Sequence, residues 1–364
     1  MKWTRYVLLA LLILQIPFVY RVCQTRQLEA YVAKLDPEAV ELSPFQDLRG
    51  SIHVHSAAGS HSIGTYPEII QAAKEADYDY LFLTEHPKKY ELFNRIEDPE
   101  LILIYGWEEE REDGGRNLRS ENSEAKIFSL FEGPPVPEDV TGIEVYNIGQ
   151  NAKAENNIFS WVNWFYHKVT YPELFFFQIW ELNQDHLDLW DQTAEFRHLS
   201  AVAGNNAHQN LGIVLMTTSG KRLFSIMVDP YLLSFRFVTN HVLLPYETSP
   251  SVESVLNALR SGASYIAFEQ IADPTGFSFH ARVGDRSLPM GVEVPVGTEL
   301  VFQSPVPALF RLLRAGTVIA ELEGVRFKVD TELSGPHRVE VYPLDPPKLL
   351  EGKLWIISNP IYVR

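Results

Sequence analysis

The sequence predicts a parallel α/β sheet or barrel, followed by an antiparallel β-sandwich and preceded by an N-terminal membrane anchor helix. Between residues 48 and 272, helical segments alternate with short apolar strands that run straight into polar residues. From residue 273 onward, short strands follow one another without helices between them. A long apolar stretch near the N-terminus stands apart from both regions.

The first 24 residues have the composition of a targeting segment. Lys2 and Arg5 precede an apolar stretch, residues 6–20, which ends at Arg21. The stretch is short for a bilayer span of about 20 residues, but tyrosines at both ends and a basic flank suit a membrane interface. Since no small-residue cleavage site follows, we predict an uncleaved signal anchor, with a cleaved signal peptide as the alternative. We expect the body to be exported, into the periplasm or the extracellular space.

The organised body begins near residue 48, after a polar helical connector over residues 25–47. Pro67 stands in a first helical turn, ahead of apolar residues at helical spacing. The apolar run at residues 80–83 then predicts a buried strand. Similar strands recur at ELILIYGWE, TGIEVYN and LSAVAGNNAH, and this alternation defines the predicted barrel over residues 48–272.

Residues 273–364 have a different pattern of apolar and polar residues. The runs FSFHARVG, GTELVFQ and HRVEVYPL show partial alternation of apolar and polar residues, and clusters of Gly, Pro and Asp separate them. Short strands at this spacing favour an antiparallel β-sandwich.

Composition limits the functions that the chain can have. Its 31 Lys and Arg stand against 47 Asp and Glu, a net charge of −16 that repels a phosphate backbone, so we expect no nucleic-acid partner. The single cysteine, Cys23, excludes both an intramolecular disulfide and a thiolate metal cluster. Any metal must therefore be bound by nitrogen and oxygen ligands.

Several histidines and one carboxylate lie where predicted strands end. His53 and His55, two apart on a strand, point to the same face. His86 ends LTEH, Glu108 ends YGWE, and His208 ends GNNAH. Because the carboxyl ends of strands in such folds share one rim, these groups converge and suit zinc, manganese or iron. The charge run that continues beyond Glu108 is expected to be a solvated loop over this site.

Four motifs together resemble the PHP family, the polymerase and histidinol phosphatase superfamily. They are IHVHSAAGSH, YLFLTEH, YGWE and AVAGNNAH, within a region from about residue 48 to residue 268. The resemblance implies a distorted (β/α)7 barrel with a multinuclear metal site that hydrolyses phosphoester bonds. The closing WIISNPIYV is similar to the end of the β-domain that many exported bacterial members carry, which also favours export.

The resemblance carries over residue by residue. His53 and His55 match the paired histidines of the opening motif, and His61 matches a third histidine that some phosphatase members place shortly after. His86 matches the histidine of the usual Thr-Asp-His, and Glu108 matches the bridging carboxylate. His208, in turn, matches the histidine of the closing Asp-x-His.

Two residues depart from the family pattern, and the middle-chain histidines of the family have no clear counterpart. Glu85 stands where aspartate is usual, which keeps the charge. Asn206 stands where the closing motif has a metal-ligating aspartate, and an amide binds a cation more weakly than a carboxylate does. The resemblance thus implies the metal ligands His53, His55, His61, His86, Glu108, Asn206 and His208, with Glu85, Glu144 and His198 as candidates around them.

The sequence therefore predicts a metal-dependent hydrolase, a phosphoesterase in which two or three divalent cations activate a water. Zinc, manganese and iron all suit the ligands, and the partner is a small phosphorylated substrate. The alternative is a catalytically weakened barrel that acts as an exported binding or scaffold protein, which Asn206 favours. Hydrolysis of a non-phosphate bond stays open within the enzyme class, because a metal site does not by itself choose its substrate.

Overall fold

The fold is described from a computed structural model of the chain. The described residues are 2–35, 42–59, 62–86, 95–112, 114–124, 126–129, 136–154, 171–210, 212–217, 222–227 and 229–364. The predicted ligand His61 lies outside these ranges.

A single helix, α1 (Lys2–Val32), contains the predicted anchor and the start of the connector. It is long and apolar enough to cross a membrane, with a mean hydropathy of 2.0 in its apolar part. Tyr6, Leu12 and Ile16 are exposed, as are the other large apolar side chains described up to Tyr20, whereas Leu28 is buried. The Tyr31 hydroxyl donates a hydrogen bond to the carbonyl oxygen of Leu344 at 2.9 Å. The N-terminal part of the helix therefore presents exposed apolar side chains, and its C-terminal end packs on the body.

Seven strands close into a barrel, which confirms the barrel prediction. Neighbouring strands are parallel at β1–β2, β2–β3, β5–β6, β6–β7 and β7–β1, whereas β4 is antiparallel to β3 and to β5. The strands are β1 (Gln46–Val54), β2 (Tyr80–Glu85), β3 (Ile102–Glu110), β4 (Arg116–Ser120), β5 (Lys126–Ser129), β6 (Gly142–Asn147) and β7 (Ser200–Ala207).

The β3–β4 hairpin replaces the solvated loop that was expected beyond Glu108. β3 continues to Glu110, and Arg116 on β4 pairs with it in register. Asn117 and Leu118 are each only 1% exposed. The expectation was wrong because burial of these two side chains holds the charged run against the barrel wall.

Helices cover the barrel on its outside. α2 (Tyr66–Glu75) lies between β1 and β2, with Pro67 in its first turn as predicted. The Glu68 carboxylate accepts a hydrogen bond from the backbone N–H of Thr65 at 2.8 Å, which caps the helix start. Within the described residues between β6 and β7 there are three further helices, of which the second is a 3-10 helix. They are α3 (Ile148–Ala154), Pro172–Ile179 and α4 (Gln184–Ala194).

After the barrel, one strand pairs with the amino half of β1, and a second strand pairs with that one. After the hairpin β8 (Gly212–Met216) and β9 (Arg222–Met227) and the short helix α5 (Tyr231–Phe235), β10 (Val238–Leu244) runs antiparallel to β1. Helix α6 (Val252–Ser261) then leads to β11 (Ser264–Phe268), which is antiparallel to β10.

The C-terminal region consists of strands, and its pairings are antiparallel except for β14 with β19. Its arrangement as a two-sheet sandwich stays a prediction. The strands are β12 (Ser278–Val283), β13 (Arg286–Leu288), β14 (Glu293–Val294), β15 (Glu299–Arg314), β16 (Thr317–Asp330), β17 (Gly335–Pro343), β18 (Ile356–Ser358) and β19 (Ile361–Val363).

Both regions share one packed interface. β11 pairs with β18, so the hydrogen-bonded sheet runs from the barrel side into the C-terminal strands. The Arg338 guanidinium on β17 reaches both carboxylate oxygens of Asp191 on α4 at 2.7 Å, and both side chains are buried. The boundary placed at residue 273 stays a prediction, because packing and strand pairing cross it.

Candidate metal centre

Polar side chains from five barrel strands meet at the carboxyl ends of these strands. β1, β2, β3, β6 and β7 run in the same direction, so their carboxyl ends form one rim. The residues that reach the rim are His53 and His55 after β1, His86 after β2, Glu108 on β3, Glu144 on β6, and Asn206 and His208 at the end of β7.

A bulge at His53 turns the paired histidines toward this rim. His53 has a φ of 65°, and the register of β1 shifts between Ile52 and Val54 against both β2 and β7. Ile52 packs with Phe82 in one core cluster, whereas Val54 packs with the α2 residues in another. On a regular strand these two residues share a face, so the extra residue reverses the alternation. As a result, His53 and His55 take the inward positions.

Glu108 lies at the centre of the cluster, with its side chain only 5% exposed. Its Oε1 is 2.7 Å from His53 Nε2 and 3.1 Å from His55 Nε2. Its Oε2 is 2.8 Å from Arg116 Nη1 and 3.7 Å from His86 Nδ1. One carboxylate thus faces three histidines and one guanidinium.

His55 is fully buried between two other imidazoles. Its ring centroid lies 4.3 Å from that of His208 and 5.1 Å from that of His86, both stacked. Among the described residues, neither ring nitrogen of His55 has a partner in hydrogen-bond geometry, although Nε2 approaches Glu108. His208 Nδ1 lies 2.8 Å from the carbonyl oxygen of Asn206, so Nδ1 carries the proton and Nε2 offers its lone pair.

Glu144 completes the cluster on the far side of His53. It is fully buried, and its Oε1 lies 2.7 Å from His53 Nδ1. A Cβ at Gly204 would lie 1.5 Å from this oxygen, so the glycine on β7 leaves the space that the carboxylate fills. His53 is therefore held between two carboxylates, those of Glu108 and Glu144.

These contacts shift the protonation equilibria of the cluster in opposite directions. Burial disfavours a charged imidazolium, but the two carboxylates outweigh it and raise the pKa of His53 to about 10. Burial, together with the charges of His53 and His86, lowers the pKa of His55 to about 4, against the pull of Glu108. Burial opposes the ionisation of Glu108, yet the hydrogen bond from His53 and the nearby imidazole of His55 hold its pKa well below the usual range.

Two of the other predicted residues lie apart from the ligand atoms. Glu85 accepts a hydrogen bond from the backbone N–H of Ser56 at 3.0 Å, so it holds the loop that follows His55. His198 precedes the first residue of β7, at the opposite end of the strand from the rim, and its Nε2 lies 2.9 Å from Glu293 Oε1. This position places His198 outside the cluster.

Sequence reasoning missed two residues of the site. Arg116 belongs to the charge run that was interpreted as a loop, so no strand position was available to place it. Asn147 ends β6 in TGIEVYN, where its Nδ2 donates to Glu144 Oε2 at 2.9 Å. The rule that found the other residues, a polar side chain where an apolar strand ends, applies equally to Asn147.

The donor atoms fit a divalent transition metal. Two overlapping sets have ligand atoms that all lie within 4.8 Å of one another: His55, His86 and His208, and His53, His55 and Glu108. Imidazole nitrogen and carboxylate oxygen suit zinc, manganese and iron. The unused nitrogens of the buried His55 are the kind of polar atoms that a bound cation satisfies.

Comparison with known proteins gives similarity at the level of solved structures. No family model and no curated protein matches the chain. The chain is similar to a two-domain protein containing a predicted PHP-like metal-dependent phosphoesterase from Bacteroides vulgatus, at 12% identity and a TM-score of 0.37, over 90% of this chain and 99% of that one. It is also similar to PsfC from Pseudomonas syringae, at 12% identity and a TM-score of 0.39, over 62% of this chain and 94% of that one. Since both TM-scores are below 0.5, the chemistry below rests on this chain's own residues.

Proposed function

We propose that this protein is a metal-dependent phosphoesterase whose site is the cluster around Glu108. The observation that carries the proposal is the position of this carboxylate. Its Oε1 faces His53 and His55, and its Oε2 faces His86 and Arg116. A carboxylate with one oxygen toward each of two groups of imidazoles is suited to bridge two cations.

The distances between the donor atoms divide the proposed ligands into two sets. His53 Nε2, His55 and Glu108 would hold one cation, and His86 and His208 Nε2 would hold a second, with His55 between the two sets. Zinc, manganese or iron bound there supplies Lewis acidity, which polarises a phosphoryl oxygen and lowers the pKa of water toward neutrality.

Arg116 supplies the positive charge that a phosphorylated substrate needs. Its side chain is 39% exposed, so the guanidinium is accessible at the rim while Nη1 contacts Glu108. Guanidinium groups bind phosphoryl oxygens through paired N–H donors. In the proposed hydrolysis a water oxygen forms a bond to phosphorus, the ester P–O bond breaks, and a proton from the water passes to the departing alkoxide.

Metal content tests this proposal directly. The full-length chain, purified in detergent and supplied with Zn²⁺, Mn²⁺ or Fe²⁺, is expected to retain metal by elemental analysis and to hydrolyse a member of a panel of phosphomonoesters and phosphodiesters. His53→Ala and His55→Ala should each lose metal, because each removes an imidazole from the central set. The matched control is His198→Ala, a histidine outside the cluster, which should keep it.

Two outcomes would contradict the metal centre or its activity. Equal metal content in wild type, His53→Ala and His55→Ala would remove the site. Metal binding without hydrolysis of any ester on the panel would favour the exported binding protein over the enzyme.

We also propose that α1 is an uncleaved anchor and that the folded body lies on the exported side of the membrane. The support is the exposed apolar part of the helix, its mean hydropathy of 2.0 and the basic residues Lys2 and Arg5 ahead of it. A cleaved signal peptide is the alternative, and the two differ in the mass of the mature chain.

A further inference from the structure

The side-chain amide of Asn206 points along the rim toward β6. Asn206 has a φ of 47°, a left-handed conformation that asparagine adopts more readily than most residues. Its Nδ2 donates a hydrogen bond to Asn147 Oδ1 at 3.1 Å. Gly149 leaves space for this amide, because a Cβ there would lie 2.6 Å from Asn206 Nδ2.

The orientation of the Asn147 amide is fixed by the backbone. Asn147 Oδ1 accepts a hydrogen bond from the backbone N–H of Gln150 in α3 at 3.0 Å, and an N–H can only donate. The opposite end of the amide, Nδ2, therefore faces Glu144 Oε2, to which it donates at 2.9 Å. Since Oδ1 is an acceptor, the residue at position 206 must present a donor to it.

The same chain of hydrogen bonds continues to the candidate metal centre. Glu144 Oε1 lies 2.7 Å from His53 Nδ1, and His53 Nε2 lies 2.7 Å from Glu108 Oε1. A carboxylate that accepts from one nitrogen of a metal-binding histidine fixes the ring and its tautomer. Asn206, Asn147 and Glu144 thus form a relay that ends at His53.

We propose that Asn206 is a positioning residue, which orients His53 through Asn147 and Glu144, and that its amide is required there as a hydrogen-bond donor. The proposal rests on the proposed metal centre. It gives Asn206 a role that aspartate cannot fill, because a carboxylate at this position would oppose Asn147 Oδ1. If Asn206 were instead a weak ligand, aspartate would bind the cation more tightly.

The two roles predict opposite effects of Asn206→Asp on the affinity for Zn²⁺. In the relay, the substitution weakens Zn²⁺ binding by about ten- to hundredfold, the range found when groups that orient a ligand are removed. Asn147→Asp, which turns a second oxygen toward Glu144, should weaken binding similarly. The backbone at position 206 is not a confounding factor, because aspartate also tolerates a positive φ.

The experiment measures Zn²⁺ affinity of the full-length chain in detergent by competition with a chromogenic chelator, and the visible absorption of the Co²⁺-loaded chain. Asn206→Asp and Asn147→Asp are compared with Asn151→Asp, a control on α3 whose amide donates to the carbonyl oxygens of Ile179 and Glu181. We expect a weaker affinity and an altered Co²⁺ spectrum for the first two variants, and wild-type values for the control.

Gly149→Ala provides a second test without a change of charge, since its methyl group displaces the Asn206 amide. It should weaken Zn²⁺ binding if the relay operates. This test remains available if Asn206→Asp does not fold. Tighter or unchanged binding in Asn206→Asp, with wild type binding normally, overturns the relay and leaves the metal centre standing. Absence of Zn²⁺ binding in wild type overturns both.

Discussion

At the scale of single residues, the chemistry of the rim depends on which side chains each carboxylate contacts. Glu108 and Glu109 are neighbours on β3, and each contacts an arginine of β4 at 2.8 Å. Glu108 points to the histidines, whereas Glu109 points away from them. Arg116 therefore lies beside the cluster and Arg119 does not, although the two ion pairs have the same length.

This pair of arginines gives a matched test of substrate binding. Arg116→Ala is expected to lower kcat/KM for a phosphoester by about ten- to hundredfold, because a charge-assisted hydrogen bond contributes about 1.5–3 kcal/mol. Arg119→Ala should leave kcat/KM unchanged. The measurement is steady-state kinetics on metal-loaded protein, with metal content determined for each variant.

Inhibition by inorganic phosphate separates substrate binding from an effect on Glu108. If Arg116 binds the phosphoryl group, Arg116→Ala weakens phosphate inhibition at wild-type metal content. Unchanged phosphate inhibition, or equal losses in the two variants, would show that Arg116 only holds Glu108 in place.

At the scale of the elements, β1 has two halves with different roles. Its carboxyl half carries the histidines, and its amino half pairs with β10 and contributes to a second group of charges, which surrounds the buried His241. His241 Nδ1 lies 2.8 Å from Asp47 Oδ1, its Nε2 lies 3.2 Å from Glu269 Oε1, and its ring stacks on Tyr265. Arg49 Nε also contacts Glu269, at 3.2 Å. This group of charges stabilises the packing of β1 against β10 and β11, at the end of the barrel opposite the rim.

The charge on His241 makes stability depend on pH. Burial lowers the pKa of His241, but Asp47 and Glu269 outweigh it and raise the pKa to about 9 in the folded chain, against 6.5 for an unperturbed histidine. Because the folded pKa is the higher one, the extra stability is complete below about pH 6.5 and is lost as pH rises through about 9. The shift corresponds to about 3 kcal/mol.

His241→Gln is expected to remove this pH dependence. The difference in free energy of unfolding between wild type and His241→Gln should shrink by about 3 kcal/mol from pH 6 to pH 9.5, as measured by guanidinium unfolding in detergent. A difference that is constant across this range would mean that His241 is uncharged in the folded protein. His198→Gln, at a half-exposed histidine elsewhere, is the control.

The helices and strands also show which elements can be predicted from neighbouring residues alone. Pro67 and the apolar spacing after it predicted α2, and apolar runs predicted β2 and β7, because each signal is a property of neighbouring residues. The β3–β4 hairpin was not predictable from its charged sequence. The burial of Leu118 depends on packing in one core cluster with Phe82 and Val242, which are distant in the chain.

At the scale of the whole molecule, the proposed anchor helix is continuous with the part of α1 that packs on the body. α1 runs from its exposed apolar part to Leu28 and Tyr31, which pack on the body without a break in the helix. β1 already pairs with β10 at Gln46. A soluble form that starts at residue 48 would lose both contacts, so a truncation is better placed within α1, before residue 25.

Topology of the full-length chain tests the anchor. A reporter fused after Arg364 that functions only outside the cytoplasm is expected to be active, and the chain should stay in the membrane fraction at full-length mass. Activity of a reporter that functions only in the cytoplasm would contradict the export of the body. A shorter chain released from the membrane would instead show a cleaved signal peptide.

Charge reversal gives the control for this orientation. Replacing Lys2 and Arg5 by glutamate removes the positive charges that, in the proposed orientation, would keep the N-terminus in the cytoplasm. The fraction of chains with an exported C-terminus should therefore fall. An unchanged fraction would mean that these two residues do not set the orientation.

The sequence by itself determined which side chains could meet and what they could bind. Strand periodicity and the position of polar residues at strand ends placed His53, His55, His86, Glu108 and His208 on one rim, because parallel strands share their carboxyl edge. The absence of thiolates restricted the ligands to nitrogen and oxygen, and the N-terminal composition indicated the apolar helix.

Only the tertiary structure decided how these groups are used. The bulge at His53 chose the face of β1, since a one-residue shift reverses every side chain and depends on pairing with β2 and β7. The relay from Asn206 to His53 joins residues from β7, β6 and β1 that are up to 153 positions apart, and its polarity is set by the backbone of α3. Hydrogen bonds between distant strands depend on three-dimensional packing, and a linear pattern of residues does not encode their direction.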